Sequence, residues 1–193
     1  DSTKYDTVCC NYCGYAALTK DFMNTTQVQR KLLREKIQAN YKSHEEVVCD
    51  AYSTETAISR LKMALLCTVT KAGKESEIGN ICLKIDWLYQ DLADELEENS
   101  SDYESKKENY LAEAHNFAMN AYEHLSKARM EESFPIAGMN ETTLDYLLSY
   151  LGYVKGEYQT AMQYLSGVVS TRGISPRLKD KCLELKELLN QKL

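Results

Sequence analysis

The stretch from Glu141 to Pro176, ETTLDYLLSYLGYVKGEYQTAMQYLSGVVSTRGISP, constrains the fold more than any other part of the chain. It reads as helix, tight turn, helix and stop. Gly156, Tyr158 and Ala161 form a G-x-Y-x-x-A joint between the two helices. The glycine lets the backbone leave the first helix, and the small alanine lets the second helix lie close against it. Leu148 and Leu165 fall where such a pair places its large core residues. The joint predicts helices stacked as antiparallel pairs.

Composition agrees. Two prolines and eight glycines in 193 residues are too few punctuators for an all-β domain. The joint resembles that of the tetratricopeptide repeat, whose period is about 34 residues. Ser149 and Gly152 depart from its usual glycine and tyrosine. The expected fold is therefore all-α, a right-handed tetratricopeptide-like array of about seven helices behind a short irregular segment that contains cysteines. Residues 1–20 form that segment and residues 21–193 the helical-repeat domain.

Taken in order, Asn24 with Gln27 resembles a capping box for a first helix, whose apolar face is Val28, Leu32, Leu33, Ile37 and Tyr41. A loop over 42–53 tucks Val47, Val48 and Cys49 onto the core. Ser53 or Thr54 caps the second helix, which Gly73 closes. Ser76 opens the third, where Ile78, Ile81, Cys82, Ile85, Leu88, Tyr89, Leu92 and Leu96 keep the three-and-four spacing. Its acidic end, Asp94 to Glu98, reads as a solvated, fraying terminus. Ser100 or Ser101 restarts the chain into a long fourth helix, broken at Phe134–Gly138. Ser175 and Pro176, at N-cap and N1, start a seventh helix with one polar face, as a solenoid cap requires. Laying the repeat frame on the chain pairs helix three with four and five with six, with a degenerate first pair.

Charge narrows the partners. The net charge is −6, from 29 acidic and 23 basic residues. That disfavours a general affinity for nucleic-acid phosphates or anionic membrane. No apolar run approaches the ~20 residues that cross a bilayer. Seven cysteines, four of them scattered singly, fit a reducing cytoplasm better than a disulfide framework. The chain begins at Asp1 and reads as a fragment or trimmed product.

Cys10-Asn11-Tyr12-Cys13-Gly14 has the shape of a zinc knuckle, with two thiolates three residues apart and a glycine to relieve the turn. One knuckle supplies two of four tetrahedral ligands. Cys9 serves as a third only with a strained backbone, and the bland alternative is two free thiols beside a turn. His44, His115 and His124 stand in no metal spacing and read as surface or rim residues. No phosphate-cradling glycine loop is present, and no catalytic constellation emerges, so the chain does not read as an enzyme.

The chain resembles an uncharacterised bacterial family, domain of unknown function 2225. The matching stretches include Tyr5-Asp6, Cys10-x-x-Cys13-Gly14-Tyr15-Ala16-Ala17, Ser76-Glu77-Ile78-Gly79, Trp87-Leu88-Tyr89, Gly138-Met139-x-Glu141 and Ser175-Pro176-Arg177. The resemblance implies a further C-x-x-C pair upstream of Asp1 that completes a zinc-ribbon-like site. Zinc is then a cofactor of the full-length protein, with Cys10 and Cys13 an incomplete half-site here.

Two readings of function remain. In the first, a helical-repeat scaffold binds a protein or peptide along its concave face, or associates with itself. Repeat geometry then selects Tyr146, Tyr150 and Tyr153 on helix five, and Leu83 and Trp87 on helix three, the alternative being that these rings pack between successive helices. In the second, the zinc ribbon recognises nucleic acid or a protein complex and the helices support it. The acidic balance disfavours the second.

Overall fold

The computed structural model describes residues 3–45, 51, 53–98 and 102–193. Val47, Val48, Cys49 and the Ser100 or Ser101 cap lie outside the described residues. Seven α-helices are present among the described residues: α1 Gln27–Lys36, α2 Thr54–Thr70, α3 Glu75–Asp94, α4 Tyr103–Glu131, α5 Glu141–Lys155, α6 Tyr158–Ser170 and α7 Pro176–Asn190. Two three-residue strands, β1 Thr7–Cys9 and β2 Ala16–Leu18, pair antiparallel with Thr7 opposite Leu18 and Cys9 opposite Ala16. The all-α expectation holds, with a short N-terminal segment that carries the cysteines and contains a small two-strand hairpin.

The chain divides into two compact units, residues 1–121 and 122–193, with the boundary inside α4. This differs from a division at residue 20. Ala16 and Leu18 of β2 are buried in one cluster with Ala57, Ile58, Leu61 and Ala64 of α2 and Ile81, Ile85 and Leu88 of α3. The hairpin is thus part of the first unit's core. Each buried aliphatic side chain of this size contributes roughly 1.5–3 kcal/mol on transfer from water.

In the first unit the close helix pair is α2 with α3, not α3 with α4. The turn of residues 71–74 reverses the chain, and buried Lys71 closes it with Nζ 2.9 Å from Glu77 Oε2. Contact between α3 and α4 is made through bulky rings. Tyr89 stacks on Phe117 at 6.1 Å and tilts against Tyr110 at 6.2 Å. The acidic end of α3 is only partly solvated, because Glu95 accepts from Thr54 Oγ1 at 3.0 Å and pairs with Lys4 at 3.2 Å.

The starts of α1, α2, α5 and α7 follow capping chemistry, while α3 and α6 begin without a side-chain cap. Ser53 accepts from the Thr56 amide, Asn140 from Thr143 and Ser175 from Leu178, with Pro176 at the first helical position. For α1 the capping box is Thr26 with Gln29, two residues later than the sequence suggested. Asn24 instead donates its side-chain amide to Lys20 O. Of the face assigned to α1, Leu33 and Ile37 are buried, while Val28 is exposed.

In the second unit the joint of α5 and α6 is made by Gly156 at φ 87°, a left-handed value that favours glycine. Leu144, Leu148 and Leu151 are buried on α5. Ala161, Leu165 and Val168 of α6 form one buried cluster with Cys182, Leu185 and Leu189 of α7.

The end of α2 offers a test. The Ala72 amide donates to Val69 O and the Gly73 amide to Thr68 O, the paired bonds of a Schellman cap. The left-handed residue of that cap is Ala72, at φ 49°, and not Gly73. A Cβ there is strained by about 1–2 kcal/mol. Ala72→Gly is expected to raise the urea midpoint, stabilising by about 0.5–1 kcal/mol after the flexibility that glycine adds to the unfolded chain. A lower midpoint would contradict the strained cap.

Candidate functional site

The cysteine knuckle is set between β1 and β2. The Cys10 amide donates to Tyr15 O at 2.8 Å, and the Gly14 amide returns to Cys10 O at 2.9 Å. Gly14 has φ 73°, and a Cβ on it would stand 2.4 Å from the Tyr41 ring. Glycine is therefore required both by the turn and by the ring packed on it. The segment after α1 closes over the same turn, with the His44 amide on Asn11 O and the Tyr41 hydroxyl 3.2 Å from His44 Nδ1.

The two thiols differ. The amides of Cys13 and Tyr12 point at the Cys10 sulfur and hold its thiol below the ordinary value. Burial pushes Cys13 up, although the Tyr15 amide works in the opposite direction. Amides directed at sulfur suit thiolates, the form that binds a metal. Cys9 does not join them, because its Sγ faces Arg60 O of α2 at 3.9 Å. Strand alternation turns Cys9 to the helical side while the knuckle leaves on the other. Cys10 and Cys13 are thus two thiols whose chemistry suits a metal, and two are half of a tetrahedral ligand set. No group of three or more His, Cys, Asp or Glu side chains suited to a metal occurs among the described residues.

The aromatic candidates separate by exposure, and they lie in different units. In the first unit, Trp87 is 44% exposed on α3, whereas Leu83 is only 2% exposed and presents no surface to a partner. The frame that chose Leu83 assumed an open face, but α3 is apolar on most of its circumference and buried accordingly. In the second unit, Tyr150 is 44% exposed. Tyr146 and Tyr153 are half-buried against the cluster of α6 and α7, and Tyr153 meets Tyr158 at 5.9 Å. Two rings of the proposed stripe thus serve packing, and one faces outward.

Sequence reading missed one ionisable residue. Asp86 is buried on α3, accepts from Gln90 Nε2 at 2.7 Å, and has its carboxyl pushed up to about 6 by burial. Gln90 and the charge of His115 oppose that shift. Position 86 falls on the inward side of the Ile85–Leu88 turn, so helical periodicity could have flagged it. A raised folded value means that the folded state holds the proton more tightly. Asp86's stabilising contribution is full below the unfolded carboxyl value near 4 and is lost as pH rises through about 6. Asp86→Asn keeps an acceptor for Gln90 and removes the ionisation. It should stabilise the protein at pH 7 by about 1–3 kcal/mol and flatten the stability profile between pH 4 and 6. An unchanged pH profile in chemical denaturation would show that this carboxyl is not the titrating group.

No helix among the described residues is long and apolar enough to cross a membrane. No curated protein and no solved structure matches the chain. The chain belongs to the family described as an uncharacterised protein conserved in bacteria, DUF2225, whose model matches residues 1–189.

Proposed function

We propose that this protein is a tetratricopeptide-like interaction scaffold that holds a protein or peptide partner through exposed aromatic side chains, without a reaction of its own. The carrying observation is the α5–α6 joint. A Cβ on Gly152 would stand 3.3 Å from Ala161 Cβ, and Ser149 Oγ donates to Ala161 O at 2.7 Å. The two apparent departures from the repeat pattern are therefore what lets α6 lie close to α5. Around the joint, Tyr122 donates to Glu157 at 2.8 Å, and Lys155 pairs with the other carboxylate oxygen at 2.9 Å. A rigid pair of this kind supports a recognition surface on its outer face.

Tyr150 in the second unit and Trp87 in the first are the side chains that fit contact with a partner, since each offers a large apolar face and one polar tip. Affinity capture from the native host with full-length protein should recover a partner that Tyr150→Ala or Trp87→Ala loses without a change in melting temperature. Tyr146→Ala and Tyr153→Ala should instead destabilise by about 1–3 kcal/mol each through lost packing against α6 and α7. Capture unaffected by both exposed-ring substitutions would defeat the reading.

The second reading, a zinc ribbon that recognises its target through the N-terminal turn, is favoured by one observation, the amides aimed at Cys10 and Cys13. On this reading residues 1–193 should bind zinc weakly, because two ligands leave half the coordination shell to water, and a chain that supplies two further thiolates should carry one zinc. Elemental analysis after mild chelation checks this. Stoichiometric zinc retained by residues 1–193 alone would show that a different ligand set is at work.

A further inference from the structure

The net charge of −6 conceals a strong local asymmetry. Residues 22–44 hold five basic side chains, Arg30, Lys31, Arg34, Lys36 and Lys42, against one acid, Glu35, for a net charge of +4. The remaining residues carry −10. The basic residues centre on α1, whose only buried residue within the helix is Leu33.

Two hollows flank this helix. A cleft of about 370 Å³ lies between α1 and the knuckle, with Tyr15, Leu33 and Ile37 among its apolar lining and Arg30 and Arg34 among its polar lining. A wider hollow of about 870 Å³ lies on the other side, lined by Val28, Gln27, Lys31 and Glu35 and by the same two arginines. Arg30 and Arg34, one turn apart, therefore form a cationic ridge with an apolar cleft of Tyr15, Leu33 and Ile37 on one side and Val28 as the apolar side chain on the other. Arg30 is fixed in place, with Nε on Thr25 Oγ1 at 3.1 Å and one terminal nitrogen on Thr25 O at 3.0 Å. Its other terminal nitrogen, and the whole guanidinium of Arg34, have no partner among the described residues.

We propose that this ridge binds an acidic, amphipathic segment of a partner protein, with carboxylates on Arg30 and Arg34 and apolar side chains in the flanking hollows. Guanidinium groups suit carboxylates because their paired donors match the two oxygens. The apolar flanks have no use for a bare phosphate chain. A nucleic-acid strand longer than the ridge would also run into the field of the −10 remainder, whereas a short acidic segment would not. This surface is distinct from the aromatic residues proposed above, so either proposal can fail alone.

The test is fluorescence anisotropy with a labelled peptide of four Glu-Glu-Leu repeats, its Gln-Gln-Leu counterpart, and a twenty-nucleotide thymidine strand, each at two salt concentrations. The acidic peptide should bind, and weaken as salt rises. Arg34→Glu should lose at least about fivefold in affinity and Arg30→Glu/Arg34→Glu more than about tenfold, with melting temperature unchanged for Arg34→Glu. The Gln peptide should not bind. If the reversals disturb folding, Arg34→Gln together with the comparison of the two peptides reads the same claim. Equal affinity in the reversed variants would overturn the proposal. So would tighter binding of the thymidine strand through the same arginines. Arginine-dependent self-association in sedimentation would also overturn it, by making a second copy the occupant.

Discussion

The first unit depends on one helix being buried on several sides at once. Helix α2 packs on α3, on both strands of the hairpin and on α1. Ala57, Ile58, Leu61, Ala64 and Cys67 supply that surface. Small residues at 57 and 64 admit close neighbours, and the larger ones fill the gaps between them. Cys67 connects this core to the knuckle. Its sulfur accepts from the Ala16 amide at 3.4 Å and donates to Gly14 O at 3.5 Å. Burial raises the Cys67 thiol's pKa, which keeps it protonated and able to donate. The turn that carries Cys10 and Cys13 is therefore held by the helical core as well as by anything the thiols bind. Ion pairs at the edge, such as Lys84 with Asp6 at 2.7 Å, add to this attachment.

That arrangement bears on how the N-terminal segment works. A free-standing zinc ribbon takes most of its stability from its metal. Here a hairpin of two three-residue strands is too short to stand alone, and it borrows a core from α2 and α3. Tyr41 covering Gly14, and the His44 amide on Asn11 O, close the turn from the other side. The basic ridge on α1 and the rings of Trp87 on α3 and Tyr150 on α5 remain exposed.

Much of this was legible in the sequence. Helices α2 to α7 follow from apolar spacing, the starts of α2 and α7 from Ser53 and Ser175, and the α5–α6 joint from Gly156 and Ala161, whereas α3 begins after Lys74 without a side-chain cap and not at Ser76. The start of α1 was not, because Asn24 with Gln27 and Thr26 with Gln29 both satisfy the same capping pattern. Only the path of the preceding chain, tied by Asn24 to Lys20 O, decides between them. The tyrosine stripe failed for a tertiary reason. Spacing puts Tyr146, Tyr150 and Tyr153 on one side of α5, but it does not say that α6 and α7 cover two of them. Leu83 was assigned to a groove by a repeat frame, and burial on α3 overrode the frame. The basic ridge escaped notice because net charge averages over a chain whose remainder is acidic.

The central claim is that the knuckle is fixed by the core of α2 and not by a metal alone. Amide hydrogen exchange on protein kept metal-free with a chelator tests it most directly. The account predicts that the amides of Ala16 and Cys10, bonded to Cys67 Sγ and Tyr15 O, exchange as slowly as the amides of α2 around Leu61 and Ala64. Fast exchange at Ala16 and Cys10 beside a protected α2 would contradict it, and would make the knuckle a separate, metal-dependent element.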